Sequence, residues 1–130
     1  MQQSLLQEKY SVFSLSISKS ETSYKSVDEI IDHLKQRIVE NNIAKFIAIF
    51  DHFSHTRELV NGQISEEILD AKNIIFCFGI TLPDPHVMAV RPRSIGVVEL
   101  QESYFLTFME APMPVANIAM EDWAQSIRNV

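Results

Sequence analysis

The stretch IGVVELQESYFLTFME, Ile95 to Glu110, decides the architecture. Ile95 to Leu100 and Tyr104 to Glu110 are rich in β-branched and aromatic residues. Gln101-Glu102-Ser103 separates them, so the stretch reads as a β-hairpin. Upstream, Asn73 to Gly79 (NIIFCFG) is a short apolar run of strand length. Before it, Ala44 to Asp51 has Phe46, Ala48 and Phe50 on one side and Ile47 and Ile49 on the other. Apolar residues on both faces predict a strand in the centre of the sheet. Between these two runs, Ser54 to Val60 fits a short helix stopped by Asn61-Gly62. Ser65-Glu66-Glu67 can start a further helical turn.

Further out, Phe13, Leu15 and Ile17 alternate with Ser14, Ser16 and Ser18, the period of a strand with one wet face. Ser26-Val27-Asp28-Glu29 fits a capping box. Val27, Ile30, Ile31, Leu34 and Ile38 follow at helical spacing to about Glu40, where Asn41-Asn42 closes the helix. Downstream of the hairpin, Pro112 and Pro114 end the strand. Ala116, Met120, Trp123 and Ile127 then recur at helical spacing. Thr81 to Arg93 carries Pro83, Pro85 and Pro92, with a helical turn over Pro85 to Val90. Met1 to Lys9 is polar and is expected to fray.

Strands do not alternate with full helices, so the fold class is α+β. A largely antiparallel sheet carries its helices on one face, in the order β-α-β4-α, with a short helical insert between the second and third strands. A chain of 130 residues fits a single domain.

The formal net charge is −6 and no run of basic residues occurs. That excludes a protein that clusters Lys and Arg against nucleic-acid phosphates or an anionic membrane. The longest near-apolar runs, Phe46 to Phe50 and Ile74 to Ile80, fall short of the about 20 residues a spanning helix needs. The first ten residues lack the pattern of a secretion signal, and Cys77 is the lone cysteine, so the expected location is the cytoplasm.

Phe50-Asp51-His52, a helical insert, then Ile74-Ile75-Phe76-Cys77-Phe78-Gly79 and a hairpin form a sequence of features that resembles the bacterial domain-of-unknown-function family numbered 302. The likeness is that of a distant relative and covers roughly Ala44 to Pro112. It implies the TATA-box-binding-protein-like fold. The chain departs from the family after Phe78-Gly79, where Ile80-Thr81 stands in place of Asn-Pro.

Asp51, His52 and His55 are the densest polar cluster. Histidines three apart can share a helix face, and an aspartate can orient an imidazole. His86 on the proline loop could complete a metal or catalytic site. Asp51 capping a turn beneath exposed histidines is the plainer reading. Arg91-Pro92-Arg93 could clamp a carboxylate or phosphate. Cys77, among Ile75, Phe76 and Phe78, reads as core packing. No glycine-rich phosphate loop, Ser-His-Asp order or Cys-x-x-Cys pair points to catalysis.

The sequence therefore reads as a small-ligand-binding module, with a metal protein or enzyme built on Asp51, His52, His55 and His86 as the alternative. It specifies no cofactor and leaves metal binding open. The expected ligand-binding residues are Asp51, His52, His55, Gly79, His86 and Arg91. They converge on one rim if the strands ending at Asp51 and Gly79 are parallel neighbours, and separate if these strands are antiparallel. A sheet face left bare by two helices, in a chain with 8 Phe and 5 Met, predicts a homodimer.

Overall fold

The computed structural model describes residues 1–129. Six strands form one sheet: β1 (Gln2–Leu6), β2 (Tyr10–Ser18), β3 (Lys45–Phe50), β4 (Asp70–Cys77), β5 (Arg93–Glu99) and β6 (Ser103–Met109). Three helices accompany them: α1 (Val27–Glu40), α2 (His52–Glu58) and α3 (Pro114–Gln125). The spatial order is β1-β2-β6-β5-β4-β3, and every neighbouring pair is antiparallel. The fold is α+β, and β2 to α3 follow the β-α-β4-α order.

Alternation sorts the side chains of the sheet. Leu15 and Ile17, Ile74 and Phe76, Ile95 and Val97, and Tyr104, Leu106 and Phe108 are all buried and share one face. Against them pack Ile30, Ile31, Leu34 and Ile38 of α1 and Ala116, Met120, Trp123 and Ala124 of α3, with Ile127 just beyond. Each amphipathic helix buries its stripe there, as its spacing predicts. Ser26 caps α1 by accepting the Glu29 N–H at 3.1 Å, while the Glu29 carboxylate accepts from the Lys25 N–H.

Four expectations are corrected. Residues 2–6 are not frayed: they pair with β2 through a turn in which Gln7 and Glu8 both have positive φ. β3 is not central but forms the edge of the sheet. A register shift between Phe46 and Ala48 lets Ile47 bulge out, and Ile47 and Ile49 stay exposed. Residues 65–68 make only a turn, closed by the Ile68 N–H to the Ser65 carbonyl. Cys77 lies half-buried on the face opposite Phe76, not in the core.

Candidate functional site

Because β3 and β4 are antiparallel, Phe50 pairs with Asn73 and Lys45 with Cys77. The end of β3 therefore lies beside the start of β4. Asp51, His52 and His55 sit at that end of the sheet. Gly79, His86 and Arg91 sit at the other, around the Arg93–Phe76 pairing. The single rim expected of these six residues does not form, and its two halves are separate places.

At the first end, Asp51 is the N-cap of α2. Its carboxylate accepts from the Ser54 N–H and the Ser54 hydroxyl, both at 3.0 Å. The Ser54 N–H bond is the main cause of a pKa below the ordinary aspartate value, with Lys72 assisting at 3.8 Å. Lys72 also binds Asp28 in the first turn of α1. One ammonium thus holds β4 to the starts of two helices, and the Asp28 bond raises its pKa. His52 and His55 are exposed and lean on the Phe50 ring, with centroids 5.1 and 5.2 Å away.

Asp51 therefore terminates a strand and starts a helix rather than orienting an imidazole. Among the described residues, no three His, Cys, Asp or Glu side chains gather as a metal site would require. The proposed four-residue cluster fails because His86 is at the far end, where its side chain is almost fully exposed.

A cavity of about 300 Å³ does open beside His52. Phe53 and Thr56 of α2, Gln63, Ile64, Ser65 and Ile68 of the following segment, and Ala71 and Val98 complete its wall. Ala71 and Val98 are register partners on the sheet face away from α1 and α3. The lining is mostly apolar, with His52, Thr56, Gln63 and Ser65 supplying polar groups. This is the composition of small-molecule sites, at the lower end of their size range of roughly 300–1,000 Å³. The sequence points to His52 but not to Ile64 or Ile68, which lie in an irregular segment that no period marks, nor to Val98, whose outward place in β5 leaves no local sign of what lies over it.

At the second end, Gly79 and Arg91 do come together. A Cβ placed on Gly79 would lie 3.7 Å from Arg91 Nη1 and 3.0 Å from Cys77 Sγ. Arg91 donates to the Thr81 carbonyl. A small cavity of about 80 Å³ lies among Phe78, Arg91, Arg93 and the start of α3. A larger concavity of about 590 Å³ beside α3 is open and carries Glu110, Glu121 and Asp122. It gathers no convergent chemistry beyond surface acids.

His33 stands apart from both ends. Its Nδ1 is 2.8 Å from the Tyr24 hydroxyl, and its Nε2 is 2.7 Å from Ser126 Oγ. Ser126 Oγ donates to the Trp123 carbonyl, so Nε2 carries the proton and Nδ1 accepts from Tyr24. The chain of bonds ties α1 to the end of α3. It therefore serves as a structural link.

A family model described as "Family of unknown function (DUF6858)" matches residues 1–129, and the chain belongs to that family. A search of curated proteins gives no match.

Proposed function

We propose that this member of a family of unknown function is a small-ligand-binding module that self-associates. The observation that carries the ligand reading is the apolar cavity of about 300 Å³ beside His52. Its few polar groups suit a compact, largely apolar ligand with one or two hydrogen-bonding atoms. His52 contributes an imidazole that can donate or accept a hydrogen bond. The test is native mass spectrometry of the purified protein and of a His52→Ala, His55→Ala double variant. A ligand mass on the wild type that the variant loses supports the site. Equal retention by both removes it.

Self-association rests on the sheet face that α1 and α3 leave bare. From β1 to β4 the outward positions include Ser4, Val12, Ser14, Phe105, Thr107 and Ser94, and no charged side chain interrupts them. A protein of net charge −6 repels its own copies except through a neutral surface. The apolar side chains of this face give a second copy something to bury. Closed two-fold pairs are the commonest outcome. Sedimentation at micromolar concentration is expected to give a dimer. A species of only 14.9 kDa would refute this.

The proposed distant kinship with the family numbered 302 is supported by the β-α-β4-α order and by Asp51-His52 at a strand end. A structural alignment in which these features fail to superpose would remove it.

A further inference from the structure

The second end of the sheet holds a different kind of pocket. Two guanidinium groups, from Arg91 and Arg93, share its wall with Phe78, Val87, Val90 and Met113. In a chain with 17 acidic residues, none lines this cavity. Among the described residues, neither arginine has a carboxylate within ion-pair distance. Arg93 spends its two Nη groups on the Val90 and Met109 carbonyls. Its Nε is shielded from solvent and has no partner. A buried donor without an acceptor is costly, and a charged one more so. The carbonyls supply dipoles, but nothing supplies the missing negative charge.

The walls are fixed before any ligand arrives. The two carbonyl bonds hold the Arg93 fork. The Asn117 side chain binds both the N–H and the carbonyl of Ala111, at 2.7 and 2.9 Å, and so pins the approach to α3. α3 starts at Pro114 with no side-chain cap. Its positive end adds to the same field, because Met113 and Ala116 line the pocket. Such preorganisation lowers the cost of binding.

We propose that this pocket binds the carboxylate of a small apolar acid, with the guanidinium groups of Arg91 and Arg93 holding the head and Phe78, Val87 and Val90 holding the tail. Guanidinium forks match carboxylate geometry. The cavity of about 80 Å³ admits a carboxylate with a short hydrocarbon chain. The apolar wall would strip water from a phosphate without replacing its many hydrogen bonds, which favours the carboxylate. This site is independent of the cavity beside His52, and the two proposals stand or fall separately.

The test titrates the full-length, isotope-labelled protein with butanoate, with its neutral analogue butan-1-ol and with inorganic phosphate. Butanoate is expected to shift the amide signals of Ala111, Met113, Val115 and Ala116 and the Arg93 Nε–H signal, and to do so saturably. Butan-1-ol and phosphate should each bind at least about tenfold more weakly, and Arg91→Gln should weaken butanoate by a similar factor. Butanol binding as well as butanoate would overturn the proposal, because the charge would then play no part. Phosphate binding as well as butanoate would overturn the apolar-acid assignment. The absence of a saturable shift would overturn the site itself. If Arg91→Gln fails to fold, the contrast between butanoate and butan-1-ol on the wild type decides alone.

Discussion

Replacing Trp123 by alanine tests the packing of α3 most directly. The indole is 3% exposed. It stacks on Phe78 at 5.5 Å with the ring planes 8° apart, and meets Phe76 edge-on at 5.5 Å. Truncating a buried Trp costs about 3–5 kcal/mol. The two aromatic pairs, each worth about 0.5–1.5 kcal/mol beyond area burial, place the loss in the upper part of that range. A domain has only about 5–15 kcal/mol in total, so the variant should fold with little reserve. With a urea slope of about 2 kcal/mol/M, the midpoint should fall by roughly 2 M. Far-UV circular dichroism is the suitable probe, since the substitution removes the only tryptophan. Phe78→Ala and the double variant complete a cycle, whose coupling should be about 0.5–1.5 kcal/mol. A loss below about 1 kcal/mol at unchanged slope would show that the ring does not anchor α3.

Two further outcomes concern charge. Burial, with Arg37 adding to it, holds the His33 pKa below the ordinary histidine value, so the unfolded chain binds the proton more tightly. Stability should be full above about pH 7 and fall as pH drops through about 6.5 toward the depressed folded value. His33→Gln should flatten that part of the curve, and urea midpoints of equal slope for both proteins would contradict the assignment. The Asp51 pKa is lowered chiefly by the Ser54 N–H bond, so its contribution is present above about pH 4 and lost as pH falls further. Asp51→Ala should cost about 0.5–2 kcal/mol and Asp51→Asn less, because the amide oxygen still caps. Equal losses for the two variants in denaturant titrations would show that the cap bond is not what Asp51 contributes.

Some of this molecule is written plainly in its sequence. Phe13, Leu15 and Ile17 alternate, and Leu15 and Ile17 are buried in β2. Ile30, Leu34, Met120, Trp123 and Ile127 keep helical spacing, and all five are in the core. These positions face one hydrophobic layer, so burial imposes a period on them. β1 has no such period, because all five of its residues are exposed. Its turn at Gln7-Glu8 uses positive φ without the usual glycine or asparagine, so no turn signal marks it either. β3 misleads for a related reason. Phe46 packs toward α1 beneath Lys35, while Phe50 serves the histidine rings of α2 on the other face. Apolar residues on both faces thus reflect two separate partners, not a central place. The relative direction of β3 and β4 leaves no local trace. A connection containing a helix and a long irregular segment serves either direction, and on that direction the convergence of the predicted site depended. Arg93 could be seen beside Arg91, but its unpaired state arises only from the fold.

β4 has a mechanical consequence. Ala71 lines one cavity, and Phe78, just past the end of the strand, lines the other. At about 3.4 Å per residue these walls are roughly 24 Å apart. Between them β4 is hydrogen-bonded to β3 on one side and β5 on the other. It cannot slide by one residue without turning Ile74 and Phe76 out of the core and breaking both ladders. The strand therefore acts as an insulator between the two ends. If both proposed sites bind, occupation of the arginine pocket is expected to leave the affinity beside His52 unchanged, which a titration at one site with the other saturated would check.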